Sequence, residues 1–145
     1  MPIDLAARIA AKLPELRRQA ESMMLDLCVI ERAPEDPWVT DPVTGRDVPT
    51  PWTVVYEGIG KSQSHQTYAL TPDVGGATET VQRDRFDIPA ADRMAALLAS
   101  GRVSVWLGPV RIGDRILARG RVLRVAGLHD KTFQTAQRLP VDEVH

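Results

Sequence analysis

The side chains that could do chemistry in this sequence are few and lie far apart along the chain. Cys28 is the sole cysteine, which leaves no intramolecular disulfide and no cysteine-rich zinc site. A nucleophilic thiolate needs a neighbouring base or cation that lowers its pKa. Cys28 stands in an apolar stretch with no His or Lys beside it. We therefore interpret Cys28 as a buried apolar side chain rather than as a reactive thiol.

The histidines and carboxylates also lack the spacing of an active site. His65 has no acid close to it in the sequence, and it reads as an ordinary exposed histidine. The pair His129 and Asp130, and likewise Asp114, have no nucleophile placed beside them. An Asp in such turns is explained by hydrogen bonds to its local backbone. We predict no catalytic residue and no enzymatic activity.

Metal and phosphate sites are disfavoured for similar reasons. Asp36, Asp41 and Asp47 could suggest a calcium loop, but the alternating acidic ligands and the final bidentate Glu of an EF-hand are missing. Gly75 and Gly76 are not followed by the Lys-Ser or Lys-Thr of a phosphate-binding loop. We expect a solvated turn at the three aspartates, no metal and no cofactor.

The totals set the class of protein. A chain of 145 residues fits one domain. With 18 Lys and Arg against 19 Asp and Glu, the formal net charge is -1, so no overall field attracts a polyanion. No long apolar run occurs, and basic residues interrupt the N-terminal part. We expect a soluble chain without a membrane partner, synthesised in a reducing cytoplasm.

Residues 1–23 form a predicted helical segment, and residues 24–145 a β-barrel region of the same single domain. Within residues 1–23, apolar residues recur at spacings of three and four, which indicates an amphipathic helix. Asp4 is placed to cap its start, and Pro14 predicts a kink or two short helices. The apolar stripe would pack on the domain's own core or on a neighbouring subunit. Its members are Leu5, Ile9, Leu13, Leu16, Ala20 and Met23.

The remainder alternates between apolar and polar residues in short runs separated by turn residues, which is typical of strands. We predict strands at residues 24–32, 52–58, 80–88, 103–107, 121–125 and 132–139, and a turn at Gly113-Asp114 between the apolar positions of residues 110–116. Residues 41–45 form a tight turn, residues 60–80 a polar loop, and residues 90–100 a short helix that Gly101 ends. The fold class is mainly β: a small antiparallel β-barrel or sandwich of about six or seven strands, with an N-terminal amphipathic helix and a short inserted helix.

Several motifs, taken in order, resemble those of one protein family. Residues 24–32 resemble its Leu-Met-x-Asp-x-Cys strand followed by an arginine, residues 41–45 its Asp-x-x-Thr-Gly turn, and residues 56–58 its Tyr-x-Gly. Residues 110–114 resemble its Val-x-Val-Gly-Asp strand end, and residues 120–125 and 131–143 its closing strands. On these motifs the chain resembles the actinobacteriophage head-to-tail connector, or stopper (head-completion), proteins. Two departures are Gly60, where the family often has a cysteine, and a longer insertion at residues 90–100.

The resemblance implies a structural virion protein of the phage neck, at the head-tail interface. It would form a homo-oligomeric ring, twelvefold under this resemblance, that closes the DNA-filled capsid and docks the tail. The implied partners are further copies of the chain, a portal-adaptor protein on the head side, and a tail terminator or tail tube on the tail side. Genomic DNA would pass through the channel without sequence-specific binding.

Two sets of residues are candidates for contacts in such a ring. The polar loop would project toward the channel or the next ring, or else be a surface loop without a role; its candidate residues are Lys61, Ser62, Gln63, His65, Gln66, Tyr68 and Asp73. A ring subunit also needs two different matching patches. The candidate subunit interface comprises Leu5, Arg8, Ile9, Lys12, Arg83 and Arg85.

Two rival functions remain open at this point. One is another neck ring protein, such as the tail terminator, for which sixfold symmetry would be expected. The other is a small β-barrel that binds nucleic acid. That function needs aromatic platforms in a basic groove, whereas aromatic residues make up only 5% of the chain and mostly occupy strand positions compatible with a core.

Overall fold

Six antiparallel strands close into a barrel in the computed structural model, which describes residues 5–63, 84–128 and 136–144. Around the barrel the order is β1–β7–β8–β9–β5–β4, and β4 pairs back with β1. Closure gives every one of these strands a neighbour on both sides, which removes the exposed edges of an open sheet. The fold prediction is confirmed as a barrel. The strands are β1 (Asp26–Arg32), β4 (Thr53–Gln63), β5 (Asp84–Pro89), β7 (Arg115–Ala118), β8 (Arg121–Val125) and β9 (Ala136–Glu143).

The barrel interior is filled by residues that alternate along each strand. Ile30 on β1 pairs with Tyr56 on one side and with Ile116 on the other, and all three side chains are fully buried. Two positions earlier, Cys28 pairs with Gly58 and Ala118. Large residues therefore share one level of the barrel and small residues another, which lets side chains fill a narrow interior without voids.

β4 is longer than the sequence pattern predicts. Residues 60–63 were predicted to begin a loop, and this is wrong: Lys61, Ser62 and Gln63 pair with Asp87, Phe86 and Arg85 of β5. The inward positions there are Gly58 and Gly60, so the apolar alternation that marks a strand disappears from the sequence. An added Cβ at Gly60 would lie 2.4 Å from the Phe86 ring, so the ring occupies the space that a side chain would need.

A small hairpin lies within the connection from β1 to β4. β2 (Trp38–Thr40) pairs with β3 (Asp47–Pro49), and the predicted tight turn at residues 41–45 joins them. The Asp41 carboxylate accepts from the Val43 amide at 2.9 Å, the Asp41 backbone carbonyl accepts from the Gly45 amide at 2.8 Å, and Gly45 adopts a φ of 69°. The Asp47 carboxylate accepts from the Thr40 hydroxyl at 3.0 Å. These oxygens stabilise the hairpin, as the turn interpretation predicts.

Helix α1 (Leu5–Ser22) covers one side of the barrel with its C-terminal half. It runs without interruption through Pro14, so the alternative of two separate short helices is wrong. Leu13 is buried, and Ala20 packs on a small apolar cluster outside the barrel made of Met24, Ile59 and Ala136.

An ion pair fixes the last turn of α1. The Glu21 carboxylate is 1% exposed and accepts from Arg93 Nε at 2.7 Å and Nη2 at 3.2 Å. Arg102 donates to the Glu21 carbonyl oxygen at 3.2 Å, and Arg17 lies 3.2 Å from Asp92. Breaking a buried pair by removing one partner leaves an uncompensated charge, so this cluster holds the helix in one position.

The inserted helical segment agrees with its prediction. A 3₁₀ turn (Ala91–Arg93) leads into α2 (Met94–Ser100), and Gly101 ends the helix at a φ of 79°. Met94 and Leu97 are buried in the barrel core. β6 (Val103–Trp106) follows and pairs with β4 as a seventh strand outside the closed ring.

The predictions for residues 110–139 agree with the structure to different degrees. The predicted turn at Gly113-Asp114 is confirmed: the Asp114 amide donates to the Arg111 carbonyl oxygen, and β7 starts at Arg115. β8 matches its prediction. β9 continues past Leu139 to Glu143, although Pro140 lies within it. The stretches 80–83 and 132–135, predicted as strand, lie outside the described residues.

Cys28 is 2% exposed, which confirms that it is a buried side chain. Burial, with a smaller effect of the Asp26 charge, raises the pKa of its thiol to about 12. We expect a disulfide reagent at pH 8 to modify the native protein on the order of 10³ times more slowly than the unfolded chain, since so little thiolate forms. Absorbance of the released thiolate, with and without denaturant, measures both rates. Equal rates in the two conditions would contradict the burial.

Candidate subunit interface

The polar clusters of the described residues link distant parts of the fold. In the described parts of the chain, no group of three or more His, Cys, Asp or Glu side chains could hold a metal ion. One buried cluster joins Arg32 and Asp114, whose carboxylate is 3% exposed. Arg32 Nε and Nη2 donate to the two Asp114 oxygens at 3.1 and 3.0 Å, and the Arg111 amide donates at 2.9 Å. Both oxygens are satisfied, so this carboxylate acts as a structural link.

Other arginines of the barrel also contact carboxylates. Arg115 pairs with Glu31 at 2.6 Å and lies over the Trp52 ring, with 3.9 Å from its guanidinium carbon to the ring centroid. Arg121 Nη2 lies 2.8 Å from Glu143 and 3.5 Å from Asp84, and this contact with Glu143 raises the pKa of Arg121 further. These pairs neutralise positive charge that a nucleic-acid groove would need.

A recess of about 320 Å³ opens near the turn between β7 and β8. Ser62, Arg119 and Arg121 supply its polar groups, and Ala118 and Leu123 its apolar wall. Arg121 is occupied by its two carboxylates, and Arg119 lies 3.8 Å from Asp26. The cations of the recess therefore already contact carboxylates of the same chain.

The described residues also include large apolar side chains that are exposed, which is the feature expected of a surface that binds another protein. On α1 the apolar stripe divides: Leu13 is buried against the chain, whereas Leu5 is 67% and Ile9 43% exposed. Arg8 and Lys12 are exposed on the same half of the helix. We name the four residues Leu5, Arg8, Ile9 and Lys12 the helix tip.

A second apolar surface lies on the outside of the barrel, on β1 and its neighbours. Leu27 is 76% exposed, and the half-buried Val29 and Leu117 pair with each other across β1 and β7. Glu57, exposed on β4, pairs with Val29 from the other side. These side chains line a groove of about 300 Å³. We name Leu27, Val29, Glu57 and Leu117 the β1 groove.

The structure divides the predicted interface residues into three groups. All four residues of the helix tip are exposed, as an interface requires. Arg85 is instead engaged within the chain: it pairs with Asp87 at 2.9 Å and donates to Gln63. Burial raises the pKa of Asp87, and the neighbouring Arg85 charge opposes that rise. Arg83 lies outside the described residues.

The predicted loop residues are divided as well. Lys61, Ser62 and Gln63 are half-buried and belong to β4, not to a loop. His65, Gln66, Tyr68 and Asp73 lie outside the described residues. The β1 groove was missed by sequence reasoning, although a signal was present: Leu25, Leu27 and Val29 alternate with Cys28 and Ile30, so an apolar row faces each side of β1.

Membrane insertion by a helix finds no support in the described part of the chain, where no helix is both long and apolar enough to cross a bilayer. No curated protein and no solved structure gives a significant match to the sequence. The profile of a family of unknown function, DUF6093, matches residues 16–142. This span includes most of the chain, and the protein therefore belongs to the DUF6093 family.

Proposed function

We propose that the protein is a structural virion protein of a tailed phage, a stopper subunit that forms a ring between the head and the tail. The ring closes the DNA-filled capsid and offers a docking surface to the tail. Its neighbours are a portal-adaptor protein on the head side and a tail terminator or tail tube on the other. The motif order described above suggests this function, and the surface of the molecule supports it.

The observation that carries the proposal is that the helix tip and the β1 groove both expose apolar side chains; the β2–β3 hairpin exposes others, such as Trp38 and Val39. The six strands of the closed ring have no free edge through which subunits could join, so contacts at the barrel wall use side chains on its outside; β6 and the β2–β3 hairpin lie outside that ring. Ring assembly by head-to-tail contacts requires two different patches on each subunit. The helix tip and the β1 groove are two such patches, since they lie on different elements, α1 and the strands β1, β4 and β7.

The electrostatics favours a passive conduit over a nucleic-acid binder. Affinity for DNA grows with each phosphate that Lys or Arg neutralises. Here Arg32, Arg115 and Arg121 are each paired with a carboxylate, and the net charge of the whole chain is -1. DNA can therefore move past such subunits without being held tightly.

Loss of the gene in the encoding phage tests the function. We expect heads and complete tails to accumulate separately, because the head lacks the surface to which the tail docks, and expression of the chain in trans should restore joined virions. Electron microscopy of the lysate separates the outcomes. Normal joined virions without the protein would overturn the proposal.

Two further measurements distinguish the rivals. Symmetry analysis of the labelled neck should give a twelvefold ring, and a sixfold ring would favour the tail terminator. Fluorescence anisotropy with labelled single-stranded DNA at low and moderate salt should show weak binding at most. Tight, salt-sensitive binding would favour a nucleic-acid-binding barrel.

A further inference from the structure

We propose that the helix tip of one copy docks into the β1 groove of a second copy. The contact is between two different surfaces of identical chains, so it repeats from copy to copy. The inference rests on the proposed function only for closure of this contact into a ring. The contact itself is argued from the exposed side chains and their charges.

The helix tip is built to meet another surface. Leu5 and Ile9 are one turn apart and continue the stripe that Leu13 begins, but they lie beyond the part of the helix that the barrel covers. The anchoring contacts of Glu21 and Arg17 are confined to the other half of the helix. An apolar stripe on a helix requires a cover, and of its large members within α1 only Leu13 is buried in the described chain, whereas Leu5, Ile9 and Leu16 are exposed.

The β1 groove offers matching apolar surface. Leu27, Val29 and Leu117 contribute aliphatic side chains from two adjacent strands. An amphipathic helix that lays its apolar face into a hydrophobic groove is a recurrent mode of protein recognition, with anchors spaced as i and i+4. Leu5 and Ile9 have this spacing.

The charged residues around the two surfaces favour the helix tip as the segment that binds in the β1 groove. Glu57 lies at the groove between Val29 and Val105 and is exposed, whereas Arg8 and Lys12 flank the apolar residues of the helix tip. Arg102 also lines the groove and keeps its positive charge while it donates to the Glu21 carbonyl oxygen of its own chain, so Glu57 is the groove carboxylate that can attract cations. Docking would therefore place two cations near an exposed carboxylate, an arrangement that fixes orientation and rejects wrong partners.

Variants that each add one cysteine to the buried Cys28 test the contact with the full-length protein. Ile9→Cys places a thiol on the helix tip and Leu27→Cys places one in the β1 groove, and a short bismaleimide joins thiols that lie close together. We expect dimers when the two variants are mixed, no dimer from either variant alone, and a ladder of oligomers when one chain carries both substitutions. Electrophoresis under denaturing conditions reads the result.

The controls are built into the same chain. Wild type contains only the buried Cys28 and should not cross-link. Arg18→Cys lies on the opposite face of α1 from Ile9 and should give no dimer with Leu27→Cys. Dimers from either single variant alone would indicate a contact between identical surfaces and would overturn the proposal. A double variant that remains monomeric would also overturn it.

Charge exchange supplies an independent readout. Glu57→Lys should weaken self-association by about tenfold, because it places like charges together. Arg8→Glu with Lys12→Glu in the same chain should restore it, whereas Arg18→Glu should not. Sedimentation velocity measures association, and circular dichroism checks that each variant is folded. Absence of any effect of Glu57→Lys would count against the proposal.

The two proposals can fail separately. If the cross-linked ladder forms but virions assemble normally without the protein, the function is wrong and this contact stands. If heads and tails separate in the gene deletion but Ile9→Cys and Leu27→Cys never join, this contact is wrong and the function stands.

Discussion

Replacing Asp114 with alanine is expected to lower the free energy of unfolding by about 3 kcal/mol. The Asp114 carboxylate is 3% exposed and accepts three hydrogen bonds, two from Arg32 and one from the Arg111 amide. Its loss leaves the guanidinium without its counter-charge and the amide without an acceptor. The Arg32 side chain is 27% exposed and keeps its bond to the Pro109 carbonyl, so water moderates the cost. Urea denaturation followed by fluorescence of the three tryptophans measures the change.

Asp84→Ala is the matched control for that experiment. Asp84 also pairs with an arginine, Arg121, but at 3.5 Å and with both side chains 34% exposed. Exposed ion pairs contribute little, so we expect a loss below about 1 kcal/mol. The loss of unfolding free energy for Asp114→Asn should lie between the losses for Asp114→Ala and Asp84→Ala, because the amide oxygen can still accept from the Arg111 backbone. Equal losses for Asp114→Ala and Asp84→Ala would show that the buried link is not a main support of the barrel.

The sequence was sufficient for the strands that obey simple alternation. β1 and β8 carry inward residues at every second position, such as Cys28 and Ile30, and both were placed within two residues of their observed bounds. The end of α2 at Gly101 was also predictable, because a left-handed residue at a helix end has a local signature. Features that depend on a few neighbouring residues were therefore predictable.

Features that depend on distant residues were not. Asp114 was explained by its own turn, yet its main partner Arg32 is 82 residues away. Nothing near Asp114 in the sequence identifies that partner. The predicted end of β4 was wrong for a related reason. Gly60 has no apolar side chain because the Phe86 ring from the neighbouring strand occupies that space. Strand pairing decided both cases, and single-sequence periodicity does not encode pairing.

The candidate interface was predictable only in part. From the sequence, the apolar stripe on α1 could pack either on the core of its own domain or on a neighbouring subunit. In the structure both possibilities apply to different parts of the same helix: Leu13 is buried against its own chain, whereas Leu5 is exposed. The β1 groove could not be predicted from composition, since Val29 and Leu117 meet only when β1 pairs with β7.

Gly60→Ala is the second substitution with a large expected effect, a loss of about 2–3 kcal/mol in the free energy of unfolding. The new Cβ would lie 2.4 Å from Cε1 and 2.8 Å from Cζ of Phe86, and 3.2 Å from the Asp87 carbonyl oxygen. Phe86 is fully buried, so its ring cannot turn into solvent to relieve the clash. Either the ring or the pairing of β4 with β5 must shift. Chemical denaturation measures the loss, and hydrogen exchange at β5 amides shows whether the strand pairing has loosened.

A smaller ring should relieve much of this clash. Phe86→Leu alone costs stability through the cavity that it opens. Combined with Gly60→Ala, it should cost at least 1 kcal/mol less than the sum of the two single losses, because the new methyl group fills part of that cavity. Gly127→Ala is the matched control: its Cβ would meet only Pro140, at an ordinary 3.6 Å, so its stability should stay close to that of wild type. Additive losses in the double variant would mean that residues 60 and 86 do not share one space. A non-additive loss for Gly60→Ala with Phe86→Leu, together with unchanged stability in Gly127→Ala, would show that the Phe86 ring fills the space at Gly60. This would explain why β4 continues through Gly60, where the sequence shows no strand pattern.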